Sequence, residues 1–193
     1  MSADGGDSER VFSLIRQWGD PVLRERARSV ERFDATFAQQ VSELESVMRG
    51  ADGAGLAATQ VGSLRRVFVY RLPDDEDAAP ARVVVNPEIV ESGDERESAL
   101  EGCLSLGKAT VHVEVERPRD IVMEAQDEHG EAIRLEVSGV HARILQHEAD
   151  HLDGVLMLDR TIPEHKRAAV RALNAGESWR PPRPDPDEDE VDA

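Results

Sequence analysis

The chain has one cysteine, no long apolar run and no excess of positive charge, and each absence removes a class of protein. A lone thiol, Cys103, cannot close an internal disulfide, which fits a reducing compartment. No apolar stretch approaches the roughly 20 residues that a membrane-spanning helix needs, so a soluble protein is expected. The opening residues, MSADGGDSER, are acidic and lack a basic segment followed by an apolar one. Neither a secretory signal nor an Arg-rich transit peptide is expected, and the default location is the cytoplasm. Basic residues number 23 against 40 acidic ones, a net charge of −17. That balance argues against nucleic acid as a partner, because phosphate binding needs a concentrated basic surface. There is also no internal repeat.

What is present points to one α+β domain within 193 residues. Residues 1–10 read as a flexible leader and 11–176 as the folded, catalytic part. Residues 177–193 read as a disordered tail, since its PPRPDPDEDEVDA combines acids with prolines and has nothing apolar to bury. Between 34 and 50, Phe37, Val41, Leu44, Val47 and Met48 recur at helical spacing, with Asp34 as a cap and Gly50 at the end. A small-residue stretch, GAGLAATQVG (53–62), follows. Strands are expected at 66–72, 82–87, 109–116, 120–125 and 132–137, the last two joined by a DEHGE turn. From Ser138 the period becomes helical, with Gly154 as a stop. A final helix is expected from Pro163 to about Gly176, with Val170 and Leu173 facing inward. Strands followed by a chemistry-bearing helix imply antiparallel or mixed sheets packed around a central helix at about 138–153.

That helix contains QHEADHLDG (146–154). His147 and His151 stand four apart, so their imidazoles share one helical face, and Glu148 lies about 100° around from His147. Zinc hydrolases use this arrangement, two imidazoles holding an ion while the glutamate takes a proton from coordinated water. Two histidines do not hold a divalent ion alone, and the third ligand sets the reaction class. Met157 stands where a metzincin would place a third histidine, and Glu164 is a weak downstream candidate. Upstream, Cys103 in EGCLS (101–105) would complete a thiolate–imidazole set with an open fourth position. A solitary cysteine is more often a buried small hydrophobe; beside HExxH the ligand reading is favoured.

GAGLAATQ (53–60), EGCLS (101–105) and QHEADHLDG (146–154) together resemble the three motifs of the peptide deformylase family, in the same order. GDPVLR (19–24) and VVNPEI (84–89) extend the likeness, which spans about 12–165. The resemblance implies a hydrolase that removes the formyl group from N-formylmethionyl nascent peptides, met at the ribosome, by a monomer. It implies metal ligation by Cys103, His147 and His151, with Fe(II) the favoured ion and Zn(II) or another divalent ion as the alternative. Glu148 would be the base and then the acid, while Gln60 and the backbone N–H of Leu104 would hold the formyl oxygen. Ala54, Gly55, Gly102, Arg143 and Ile144 would border the substrate. Arg143 has a competing assignment, a simple pairing with a carboxylate. Asp150 is read either as orienting a ligand or as a helix-surface ion pair. His112, His129, His141 and His165 fit no ligand spacing. The chain departs from the family at Gly107, where a proline is common, and in the absence of an arginine from 106–112, where Lys108 is the only cation.

Overall fold

Asp34 begins the first long helix, α1 (Ala35–Gly50), by accepting hydrogen bonds from the N–H groups of Thr36 and Phe37 at 3.1 Å each. Those donors have no partner inside the helix, and a side-chain cap of this kind is worth about 1 kcal/mol. The computed structural model describes residues 9–76 and 79–182. Phe37, Val41, Leu44 and Met48 of α1 are buried as the spacing requires, and Val47 packs partly buried beside them.

Seven strands follow: β1 (Gly55–Ala57), β2 (Val67–Tyr70), β3 (Arg82–Ser92), β4 (Arg96–Gly102), β5 (His112–Pro118), β6 (Asp120–Gln126) and β7 (Ala132–Ser138). They form a five-stranded sheet in the order β1-β2-β3-β6-β7 and a two-stranded sheet of β4 and β5. Every strand pair is antiparallel. The turn between β6 and β7 is the expected one. Asp127 accepts from the N–H groups of His129 and Glu131, and Gly130 takes a left-handed conformation at φ +87°.

The helix α2 (Gly139–Leu152) runs between the two sheets. Its Ala142, Leu145, Ala149 and Leu152 pack with Phe68, Tyr70, Val84 and Met123 of the large sheet. A separate apolar core gathers Val111, Val113 and Val115 with Leu156, Met157, Leu158 and Ala169 of the last helix, α3 (Pro163–Ala175). The fold is thus α+β, a single domain with the helix that carries His147 and His151 at its centre. Past α2 the chain reverses at Gly154, φ +72°, where an added Cβ would lie 2.7 Å from the carbonyl carbon of Arg24. Only glycine takes that backbone angle and that approach together.

Three expectations need correction. No strand is expected at 96–102, yet β4 is there. Its sequence RESALEG is charged because only Glu101 of the strand is buried, and only β5 pairs with it. The strand expected from Ala109 starts at His112, because Gly107, Lys108 and Ala109 are successively left-handed, at φ +61°, +55° and +64°. The strand expected to end at 87 runs on to Ser92 through two irregularities in its register with β6. In α3 the buried residues are Ala169 and Ala172, while Val170 and Leu173 are partly covered.

The expected leader and tail lie mostly outside the described residues. Of the leader, Glu9 and Arg10 are helical. Of the tail, Trp179 donates from its N–H to Thr110 and accepts from the N–H of His112 at 2.7 Å, so residues before 183 lie alongside the start of β5.

Asp159 ties the chain after α2 to both neighbours. It accepts from Leu156 N–H at 3.0 Å, from Lys166 Nζ at 2.8 Å and from Arg24. Burial alone would raise its pKa; the Arg24 and Lys166 hydrogen bonds outweigh burial and hold it at about 2. The unfolded chain therefore binds this proton more readily. The stabilisation is complete above about pH 4 and is lost as pH falls through about 2. Asp159→Asn is expected to lower Tm near pH 7 by roughly 2–4 °C, the equivalent of about 1 kcal/mol after allowing for solvent screening of a partly exposed group. Thermal melts should show the gap to wild type closing as pH drops from about 4 toward 2.

Candidate active site

The turn of α2 that carries His147 and His151 faces the end of β4. There the strand passes directly into Cys103, and the rings of the two histidines stand 5.0 Å apart between centroids. Cys103, His147 and His151 each offer one ligand atom, and the three atoms lie within 4.8 Å of one another. The Sγ of Cys103 is 3.2 Å from Nε2 of His151. Two such donors on a tetrahedral zinc ion would stand about 3.6 Å apart, so the set fits a small divalent ion with little adjustment. Among the described residues this is the one His/Cys/Asp/Glu group that does so. Met157 is buried in the apolar core and Glu164 is exposed and outside the set.

The ring of His147 is fixed from behind, while Nδ1 of His151 is buried without a hydrogen-bond partner. His147 Nδ1 sits 2.9 Å from Oε2 of Glu101, which leaves Nε2 to face the site. Glu101 in turn accepts from Arg117 through Nε at 2.6 Å and Nη2 at 3.0 Å, and from Arg143 Nη1 at 2.8 Å. Burial would raise the Glu101 pKa, but hydrogen bonds from His147 and Arg117 hold it well below the usual carboxylate range. For His147, burial would lower the pKa, and the hydrogen bonds with Cys103 and Glu101 reverse that and raise it well above the usual value. His151 goes the other way, lowered by burial and by the charge on His147. Two adjacent imidazoles cannot both protonate cheaply in such a space, and a shared cation resolves the conflict by taking both as neutral donors. Thr59 also reaches the site from behind, donating from Oγ1 to the His151 carbonyl at 3.1 Å.

A cavity of about 330 Å³ opens in front of the ligands. It is lined by Ala54, Gly55, Gln60, Gly102, Cys103, Leu104, Arg143, Ile144, His147 and Glu148. His151, 1% exposed, lies behind this lining. The eleven residues assigned to the site from the sequence are therefore together. Glu148 is 4% exposed, and its Oε2 makes no hydrogen bond. Burial is the first cause of its pKa being pushed up to about 7. Gly55 is what admits that carboxylate, since an added Cβ there would lie 2.7 Å from Cδ of Glu148.

Gln60 sits in the short turn after β1, and its orientation is settled by its neighbours. Ala57 N–H can only donate, so the Gln60 oxygen faces it at 2.9 Å. The amide nitrogen is thereby turned toward Ser105 Oγ, at 3.1 Å, and Cys103 Sγ, at 3.6 Å. The Leu104 carbonyl is held by Gln17 Nε2 at 3.0 Å.

A family model for polypeptide deformylase matches residues 12–167. The chain belongs to that family. It is 43% identical over 161 residues to a peptide deformylase of Pseudothermotoga lettingae, covering 83% of this chain and 89% of that one. It is 43% identical over 157 residues to that of Thermotoga maritima, covering 81% and 91%. Its fold is similar to the crystal structure of a Synechococcus elongatus peptide deformylase in complex with actinonin, with a TM-score of 0.78 at 37% identity, covering 85% of this chain and 88% of that one. This deformylase is a metal-dependent hydrolase that removes the N-formyl group from nascent peptides. No helix among the described residues is long and apolar enough to cross a membrane.

Sequence reasoning missed Glu101, Arg117, Ser105 and Thr59. Glu101, Ser105 and Thr59 lie inside motifs already singled out, so their positions were visible and only their partners were not. Arg143 does both things weighed for it, lining the cavity and donating to Glu101. It also donates to the carbonyls of Val115 and Glu97. Asp150 is not a helix-surface pair; it is 8% exposed and accepts from Arg117 and Arg160.

Replacing Glu101 by Gln keeps the size and removes the charge behind His147. Metal affinity is expected to fall about 10–100-fold, as measured by competition with a chromophoric chelator. Tm should also fall, because Arg117 loses one of the two carboxylates that compensate its buried charge.

Proposed function

We propose that Glu148 is the proton carrier of this deformylase and that Gln60 and the N–H of Leu104 receive the charge developing on the formyl oxygen. The observation that carries the reading is the Glu148 carboxylate, buried, unpartnered at Oε2 and lining the same cavity as Cys103 and His147. A carboxylate kept out of water with a free oxygen has a raised affinity for a proton, which suits it to accept one near neutrality and give it up again.

When bound by Cys103, His147 and His151, a divalent ion supplies a coordinated water with its pKa lowered to about 7 and polarises the scissile carbonyl. Glu148 takes a proton from the attacking water as its oxygen adds to the formyl carbon. The Gln60 amide N–H₂, turned away from Ala57 by its own carbonyl, donates to the oxygen that gains charge. Glu148 then returns the proton to the amine nitrogen as the carbon–nitrogen bond breaks, leaving formate and a free N-terminus. Ala54, Gly55, Gly102, Arg143 and Ile144 border the peptide. Cys/His₂ donors suit both Fe(II) and Zn(II), and we favour Fe(II) on the family resemblance. The catalytic unit is 11–176, acting as a cytoplasmic monomer on nascent chains at the ribosome.

Formate release from a formyl-Met tripeptide, assayed anaerobically with metal-replete protein, is the direct test. Glu148→Ala is expected to retain its metal while losing turnover, and Cys103→Ala to lose the metal. Gln60→Ala should reduce kcat by roughly 10²–10³ with metal content unchanged. Full activity in both Glu148→Ala and Gln60→Ala would refute the assigned roles.

A further inference from the structure

The buried charges behind the metal ligands do not end at Glu101. Arg117 is 4% exposed and spends Nε and Nη2 on Glu101, while its Nη1 donates to Asp150 Oδ2 at 2.8 Å. Asp150 accepts from one more residue. Arg160 donates through Nη2 to Oδ1 at 2.6 Å and through Nε to Oδ2 at 3.2 Å. Arg160 is half exposed and lines a solvent cleft that shares no lining residue with the substrate cavity. The result is a continuous alternation of charge, Arg160–Asp150–Arg117–Glu101–His147, running from solvent to a metal ligand.

We infer that Arg160 is a positioning residue for the metal centre, acting through Asp150 and Arg117 on the carboxylate that orients His147. Asp150 has two cations to share and Arg117 has two carboxylates. With Arg160 in place, Asp150 is satisfied at both oxygens, and Arg117 needs to give it only one nitrogen. Without Arg160, Oδ1 loses its donor and Asp150 competes for the guanidinium that clamps Glu101. Arg117 then shifts toward Asp150, and Glu101 is left with a weaker, less directional hold. His147 loses definition in turn, since its ring is oriented by Glu101. Arg26 provides an internal control: it lines the same cleft but pairs with Asp153, which is outside the chain of contacts.

The inference rests on the three-ligand reading of the site, and Co(II) loading separates the two. Wild-type full-length chain should show a thiolate-to-cobalt absorption band; its absence would overturn both readings. Arg160→Gln should shift that band and weaken Co(II) binding about three- to tenfold, less than the 10–100-fold expected of a residue touching the ligand directly. Arg160→Lys should recover part of the loss, and Arg26→Gln should match wild type. In an Asp150→Asn background, Arg160→Gln should have little further effect, because its route is already cut. A wild-type spectrum and affinity in Arg160→Gln would overturn the inference, as would an equal effect from Arg26→Gln or full additivity with Asp150→Asn.

Discussion

The carboxylate of Glu101 is the contact on which the site depends. It is almost completely buried, and two guanidinium groups and one imidazole converge on it. Those partners come from different places: Arg117 from β5, Arg143 and His147 from α2. One side chain thus fastens the two-stranded sheet to the central helix and sets the ring of a metal ligand. A buried ion pair is poor evidence for stability in itself, since the cost of stripping water from both charges offsets most of their attraction. Its worth here is directional. Arg117 meets both oxygens of Glu101, so the carboxylate cannot rotate, and the imidazole that reads its position cannot rotate either.

The residues proposed for catalysis are distributed so that each is held by something rigid. Cys103 leaves the end of a strand, the two histidines and Glu148 share one helix, and Gln60 hangs from a tight turn locked by its own hydrogen bond to Ala57. Small residues then do spatial work. Gly55 stands against Glu148 and Gly102 against the ring of His112, so the backbone can run close beside those two side chains. Ala142, Leu145, Ala149 and Leu152 of α2 pack against the large sheet, which leaves the face with His147, Glu148 and His151 free for polar chemistry. Burial that drives folding and burial that tunes Glu148 are two faces of one helix.

Much of this was legible in the sequence. The period of α1 and α2, the Asp34 cap and the β6–β7 turn follow from side-chain spacing and local hydrogen bonding, which depend only on neighbours along the chain. Two of the three motifs also hold Cys103, His147 and His151, the group whose geometry is consistent with a divalent ion. β4 was hidden because a strand paired on one side and exposed on both faces carries no apolar alternation. The late start of β5 was hidden because Lys108 and Ala109 adopt left-handed angles that neither residue advertises.

The sequence by itself determined which residue types the chemistry has: one thiol, two histidines at helical spacing, and a glutamate between them. Spacing on a helix fixes a shared face, so that much needs no further contact. Tertiary structure alone decided how those groups are conditioned. Glu101 lies 46 positions from His147, Arg117 lies 33 from Asp150, and Gln60 lies 43 from Cys103. Hydrogen bonds at such separations exist only once strand and helix are packed, because burial is what leaves a charged group no partner but another side chain.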